Sequence, residues 1–177
     1  MPEFVNGLPL HALLVHVVVV LVPLAVLGAI VIAVWPAARR RFGWLVLGFA
    51  VVDAIVVPLT TESGENLDRR VPSNPQLAEH ERLGDMMIYW VVPLLVLIAA
   101  LMALEVVRRR QLTTIDAGGP GTQTAATGQV ASWLMPVSIV VAVLTVAVAV
   151  GTGIHCFRVG DAGAKSVWGF VQDQPAR

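Results

Sequence analysis

Gly7-Leu-Pro-Leu-His11-Ala-Leu-Leu-Val-His16 opens an apolar run that continues to Pro36 and sets two histidines where a membrane helix would meet water. Ionisable side chains at that depth are costly unless they are paired or used, so both enter as functional candidates. The run carries Glu3 and no basic residue at its start. It is about twice the length of the apolar core of a signal peptide, roughly 7–15 residues. It therefore reads as a spanning helix over residues 9–35, with Gly7 or Leu8 near the N-cap, Pro9 in the first turn, a kink at Pro23 and an interfacial end at Trp35-Pro36.

The rest of the chain agrees with a lipid environment. Of 177 residues, 56% are hydrophobic and only 14% charged, with a mean hydropathy of +0.77. A soluble domain carries about 25% charged residues, so this chain has too little polar surface to wrap a soluble core. Its net charge of zero implies no nucleic-acid face. The single cysteine, Cys156, excludes an internal disulfide and a cysteine-based zinc site. Eleven arginines against one lysine, with abundant Ala and Val, point to a GC-rich bacterial genome and hence a multi-pass protein of the bacterial plasma membrane.

Three further apolar runs follow. One, over residues 43–61, is just long enough to cross about 30 Å of hydrocarbon and carries Asp53 near its middle. Another begins outside the membrane at Asn74-Pro75, which resembles an N-cap followed by a first-turn proline, and runs over 75–108. The last covers 130–155. Residues 111–128 are of low complexity and read as a flexible cytoplasmic linker, and 158–177 as an extracytoplasmic tail on the surface, anchored by Trp168. The expected fold is thus all-α, an integral membrane bundle of four transmembrane helices. Arg39-Arg40-Arg41 and Arg108-Arg109-Arg110 mark the cytoplasmic side, and the segment 62–85 holds six carboxylates against three arginines, so both termini should be extracytoplasmic.

At about 1.5 Å per residue, His16 rises roughly 30 Å and His11 roughly 37 Å above Pro36, Glu62 roughly 31 Å above Arg41, His80 roughly 42 Å above Arg108, and His155 roughly 36 Å above Ala131. All four histidines fall at the outer interface, joined there by Glu62. His11 and His16 lie about 140° apart around one helix and cannot chelate one small ion as an i,i+4 pair would. Two arrangements stay open: an axial ligand of a b-type haem with a second histidine from another helix, or three to four groups around Zn, Cu or Fe. His16, the deepest, leads the candidates; simple hydrogen bonding to backbone or headgroups is the bland alternative. Asp53 reads either as a proton or ion relay or as a carboxyl that locks packing against Ser138 or Thr145. Glu105 near Arg108 and Arg109 reads as a snorkelling ion pair. No nucleophile elbow, phosphate loop or zinc-protease motif is present, and the chain leans away from being an enzyme.

Taken together, Leu8-Pro9-Leu-His11-Ala-Leu-Leu-Val-His16, His80-Glu-Arg-Leu-Gly-Asp85 and Arg158-Val-Gly-Asp-Ala-Gly-Ala-Lys-Ser-Val-Trp168 resemble the four-helix membrane family catalogued as domain of unknown function 2231. The resemblance covers residues 7–169. It aligns His11, His16 and His80 with motif positions and leaves His155 and Cys156 outside the pattern, so those two drop as site candidates. Where the family has Pro after the first histidine and Phe-Pro after the second, this chain has Ala12 and Val17-Val18. Some relatives are joined to cytochrome-type or iron–sulfur domains, which implies a redox or haem-linked role with a separate electron partner. Two functions from different classes follow. One is a haem- or metal-binding electron-transfer accessory using His11, His16 and His80, with Glu62 as a further metal ligand. The other is a cofactor-free scaffold, partnered through 62–85 and 158–177 and compatible with a homo-oligomer. Four helices with one mid-membrane carboxylate and no evident inverted repeat argue against a transporter.

Overall fold

Trp35 turns the chain between the first two long helices by itself. In a computed structural model, which describes residues 4–72, 74–117, 123–169 and 171, with side chains left undescribed at 113–132, α1 spans Leu10–Val34 and α2 spans Pro36–Asp68. The residue before a proline is pushed to extended backbone, and Trp35 adopts φ −122° and ψ 98°. Pro36 then starts α2 at the one position where a missing N–H costs nothing. The three arginines expected in a connecting loop consequently sit in the first turns of α2.

Arg39 uses that position to finish α1. It is buried, and its Nε donates to the Ile32 carbonyl at 2.8 Å and its Nη2 to the Ala33 carbonyl at 2.9 Å. Those oxygens belong to the last turn of α1, which has no intrahelical donor for them, and the cation also meets the negative end of the helix dipole. Buried Glu105 lies nearby and accepts from Arg109 Nε at 3.1 Å, and Arg109 Nη2 reaches the Arg40 carbonyl at 3.3 Å. The two arginine clusters therefore share one end of the bundle.

The segment expected as one helix over 75–108 is bent into α3, Pro75–Asp85, and α4, Ile88–Ala117. Asn74 caps α3, its Oδ1 accepting from Leu77 N at 2.8 Å, with Pro75 at the first position as its sequence demands. The bend follows Gly84, a weak helix former, and there the backbone bonds tighten to i→i+3: Met87 N to Gly84 O, Tyr89 N to Met86 O, Trp90 N to Met87 O. Helix α5, Gln123–Trp168, passes the expected end near His155 by more than three turns. The 158–168 part of the supposed surface tail is helical because no proline interrupts it, Asp161 and Lys165 pair at i,i+4, and α3 packs against it. The expected linker is helical on both flanks, up to Ala117 and from Gln123; its centre, 118–122, lies outside the described residues.

Ahead of α1 stands a short antiparallel hairpin, Phe4–Val5 with Leu8–Pro9. Asn6 and Gly7 turn it with φ of 50° and 80°, the pair of positive angles that a two-residue hairpin requires and that Asn-Gly adopts readily. The N-terminal reading of Gly7 or Leu8 as a helix cap is corrected accordingly: α1 starts one residue after Pro9.

In the bundle α1 packs on α2 and α5, and α4 packs on the same two, which places α1 and α4 diagonally. Four helical segments are long and apolar enough to cross a membrane, with α3 continuing into α4 as one of them. Ala25, Ala29, Ala50 and Ala149 are buried, and such small residues let helices close in lipid, where no hydrophobic drive favours helix over solvent lipid. Leu27, Val96, Val143 and Phe157 point outward and give the bundle an apolar exterior. Arg39→Met removes both bonds to the α1 carbonyls while keeping bulk, so it should cost about 1–3 kcal/mol. The expected readout is a lower melting temperature in detergent with helix content unchanged at low temperature.

Candidate histidine site

Two of the sequence candidates meet at the bundle end opposite the arginines. His11, at the start of α1, directs Nδ1 to the carbonyl of Thr60 on α2 at 2.9 Å. His80, on α3, directs Nδ1 to the carbonyl of Val159 on α5 at 2.9 Å. A carbonyl oxygen only accepts, so in each ring Nδ1 carries a proton, and in the neutral imidazole Nε2 is then the nitrogen with the lone pair. The ring centres lie 6.3 Å apart with planes at 83°.

Local sequence explains why the rings fit. His11 lies against Gly64, where a Cβ would stand 3.0 Å from Cε1 of the ring, and His80 lies against Gly163 at the same 3.0 Å. The Thr60 carbonyl also accepts from Ser63 Oγ at 2.8 Å. The hairpin closes over this side: Phe4 sits 5.7 Å from the Arg70 guanidinium, and Phe4, Pro9, His11, Ser63 and Arg70 line a cleft of about 10 Å³, room for one water or a bare ion.

His16 and Glu62 are placed apart from this pair. His16 is exposed on the outer face of α1, and its Nδ1 is bonded to the Ala12 carbonyl of its own helix. Glu62 is exposed on α2, pointing away from the face that holds Ser63 and Gly64. Among the described residues no group of three or more His, Cys, Asp or Glu side chains is arranged to hold a metal ion.

His155, set aside on the sequence, has structural work at the bend. It is buried, stacks on Trp90 at 5.9 Å and 26°, and its Nε2 donates to the Leu83 carbonyl at 2.8 Å. That oxygen would accept from Met87 N in a straight helix, but Met87 donates to Gly84 instead. The signal for this role was the Gly84 break facing a histidine on a neighbouring helix, and helix pairing had to be known to read it.

Asp53 is buried near the middle of α2 and its Oδ1 has no hydrogen-bond partner. Of the partners expected for it, Thr145 donates to the Val141 carbonyl of its own helix at 2.7 Å, and Ser138 is only half-buried. Two stability predictions follow from these geometries. His155→Phe keeps the stack on Trp90 but bares the Leu83 oxygen, and should cost about 1–3 kcal/mol in thermal unfolding. Asp53→Val removes a lone buried carboxyl at similar volume and should raise the melting temperature in detergent; a drop would show that the carboxyl has a stabilising partner.

Comparison with known proteins finds no matching curated protein and no matching solved structure. A family model does match: its description is "Predicted membrane protein (DUF2231)" and it covers residues 7–172, nearly the whole chain, including the three sequence motifs quoted above. The chain is thus a multi-pass membrane protein and belongs to the DUF2231 family.

Proposed function

We propose that the chain is a membrane redox accessory whose His11–His80 pair ligates one transition-metal centre at the extracytoplasmic end of the bundle. The observation that supports this reading is the paired carbonyl tether. Metal-ligating histidines characteristically donate their second ring nitrogen to a carbonyl or carboxylate, which fixes the tautomer and raises the basicity of the ligating nitrogen. Both imidazoles here are held that way, with both Nε2 atoms left over. With ring centres 6.3 Å apart, His11 and His80 are the residues that would hold one ion between them.

The remaining ligands of a bare Cu or Fe ion would be water or a small anion. Haem b, which needs only two protein ligands, matches the count, and for it the two halves of the bundle must part, since the cleft beside His11 is of ionic size. Imidazole suits Cu, Fe and Zn alike, and a redox-active ion would supply single-electron transfer to a separate protein partner. The positive-inside rule applied to the arginine end puts the histidine end outside.

The cofactor-free scaffold is the competing reading. Of its proposed surfaces, 62–85 and 158–177, the parts in α3 and α5 pack on each other, which leaves less of them for a partner; residues 172–177 lie outside the described residues. Detergent-purified protein should contain stoichiometric metal or show a haem absorption band. His11→Ala and His80→Ala should each abolish it, while His16→Ala should retain it. Colourless, metal-free protein that takes up neither Cu nor haem, with a stable co-purifying partner, would establish the scaffold instead.

A further inference from the structure

The two histidines are held by the same device twice. In each, Nδ1 meets the carbonyl four residues before a glycine at 2.9 Å, and the ring lies on that glycine with a would-be Cβ 3.0 Å from Cε1. Thr60 and Gly64 do this for His11, Val159 and Gly163 for His80. A carboxylate stands two positions before each glycine, Glu62 and Asp161.

The likeness extends along the helices. The spacing from His11 to His80 also carries Arg39-Arg40-Arg41 onto Arg108-Arg109-Arg110. It carries the buried residues Val22, Ala25, Ala29 and Ile32 of α1 onto Val91, Leu94, Ile98 and Leu101 of α4, all buried. On the returning helices, the spacing from Gly64 to Gly163 carries Val46, Ala50 and Asp53 onto Thr145, Ala149 and Thr152, again all buried. A near-identical run, Val22-Pro-Leu-Ala-Val-Leu27 and Val92-Pro-Leu-Leu-Val-Leu97, recurs one residue out of that register. Packing obeys the same exchange, since α1 contacts α2 and α5 while α4 contacts α5 and α2.

We propose that the chain is two copies of one helix-pair unit, 10–68 and 75–168, facing each other across an axis along the bundle, and that Gly64 and Gly163 are equivalent positioning residues, each setting one imidazole of a two-half site. Both units run from the histidine end to the arginine end and back, so the relation is of the parallel kind, with its axis along the bundle rather than across it. A ligand on that axis meets two equivalent Nε2 donors, which fits a single metal cation. This last point rests on the metal reading above; the equivalence of the halves does not.

The test uses full-length protein in detergent, labelled with ¹⁵N-histidine, and a Cu(II) titration. In the wild type, His11 and His80 should show the same Nδ1–H signature. Gly64→Ala should shift the ring nitrogens of His11, and Gly163→Ala those of His80, by comparable amounts. Each should weaken Cu(II) binding about 10–100-fold, the usual cost of disturbing a ligand's outer support, and the two losses should match within threefold. A change from one glycine variant with silence from the other overturns the proposal, as does a different tautomer at the two histidines. If wild-type protein binds no Cu(II) while the ring signals still respond in parallel, the equivalence stands and the metal reading falls. Should either alanine variant fail to fold, His11→Asn and His80→Asn, which keep a donor for the carbonyl, replace them, and unequal effects on Cu(II) binding again overturn the proposal.

Discussion

A carbonyl oxygen without a donor inside lipid costs several kcal/mol, because no water is there to replace the lost bond. Much of what is specific about this chain answers that constraint. The one-residue turn at Trp35 exposes the last carbonyls of α1, and Arg39 returns to bond two of them. The bend after Gly84 frees the Leu83 carbonyl, and His155 takes it. The candidate site uses main-chain acceptors too, since His11 donates to a carbonyl of α2 and His80 to one of α5. At both of these helix breaks a long side chain supplies the donor and the main chain the acceptor. Among the described residues, the ion pair at Glu105 involves a buried carboxylate.

That economy decides which histidines can do chemistry. An imidazole has two ring nitrogens, and a structural role uses the one that carries the proton. His155 spends Nε2 on Leu83 and its face on Trp90, so it is committed to the bend. His16 bonds within its own helix and faces outward. His11 and His80 spend Nδ1 and meet edge to face, each with Nε2 in reserve. The glycines beneath them matter for the same reason: a methyl group at Gly64 or Gly163 would press on Cε1 and Nδ1, the atoms that hold the tether.

Hydropathy and charge made the height of every residue along the bundle legible. The four spans, the shared arginine end and the gathering of histidines at the other end all followed from counting residues at a fixed rise. Rotation about the helix axis was not legible in the same way. His16 led the sequence candidates because it is deepest, yet depth says nothing about facing, and its position about 140° from His11 leaves it on the outside when His11 turns inward. Glu62 shows the same gap, one residue from buried Ser63 and itself exposed. The hairpin was within reach, since Asn6-Gly7 is a strong turn signal. The break at Gly84 and the continuation of α5 to Trp168 depended on α3 and α5 packing together, a long-range fact that no local window contains.

The places where the two halves differ are as informative as those where they agree. Trp35 alone joins the helices of the first half, whereas α4 and α5 of the second half end at Ala117 and begin at Gln123. In mid-bundle the residue equivalent to Asp53 is Thr152: the threonine satisfies itself with the Val148 carbonyl at 2.8 Å, and the carboxyl has an oxygen with no partner. A stability argument alone favours the threonine solution at both positions, because a hydroxyl can bond its own helix and a carboxylate cannot donate. The histidine end, by contrast, repeats its tether to within the same distances. Symmetry is therefore retained where two side chains must meet one another and given up where each helix can satisfy its own polar groups, which is the pattern expected if the meeting of His11 and His80 is what the bundle is built to hold.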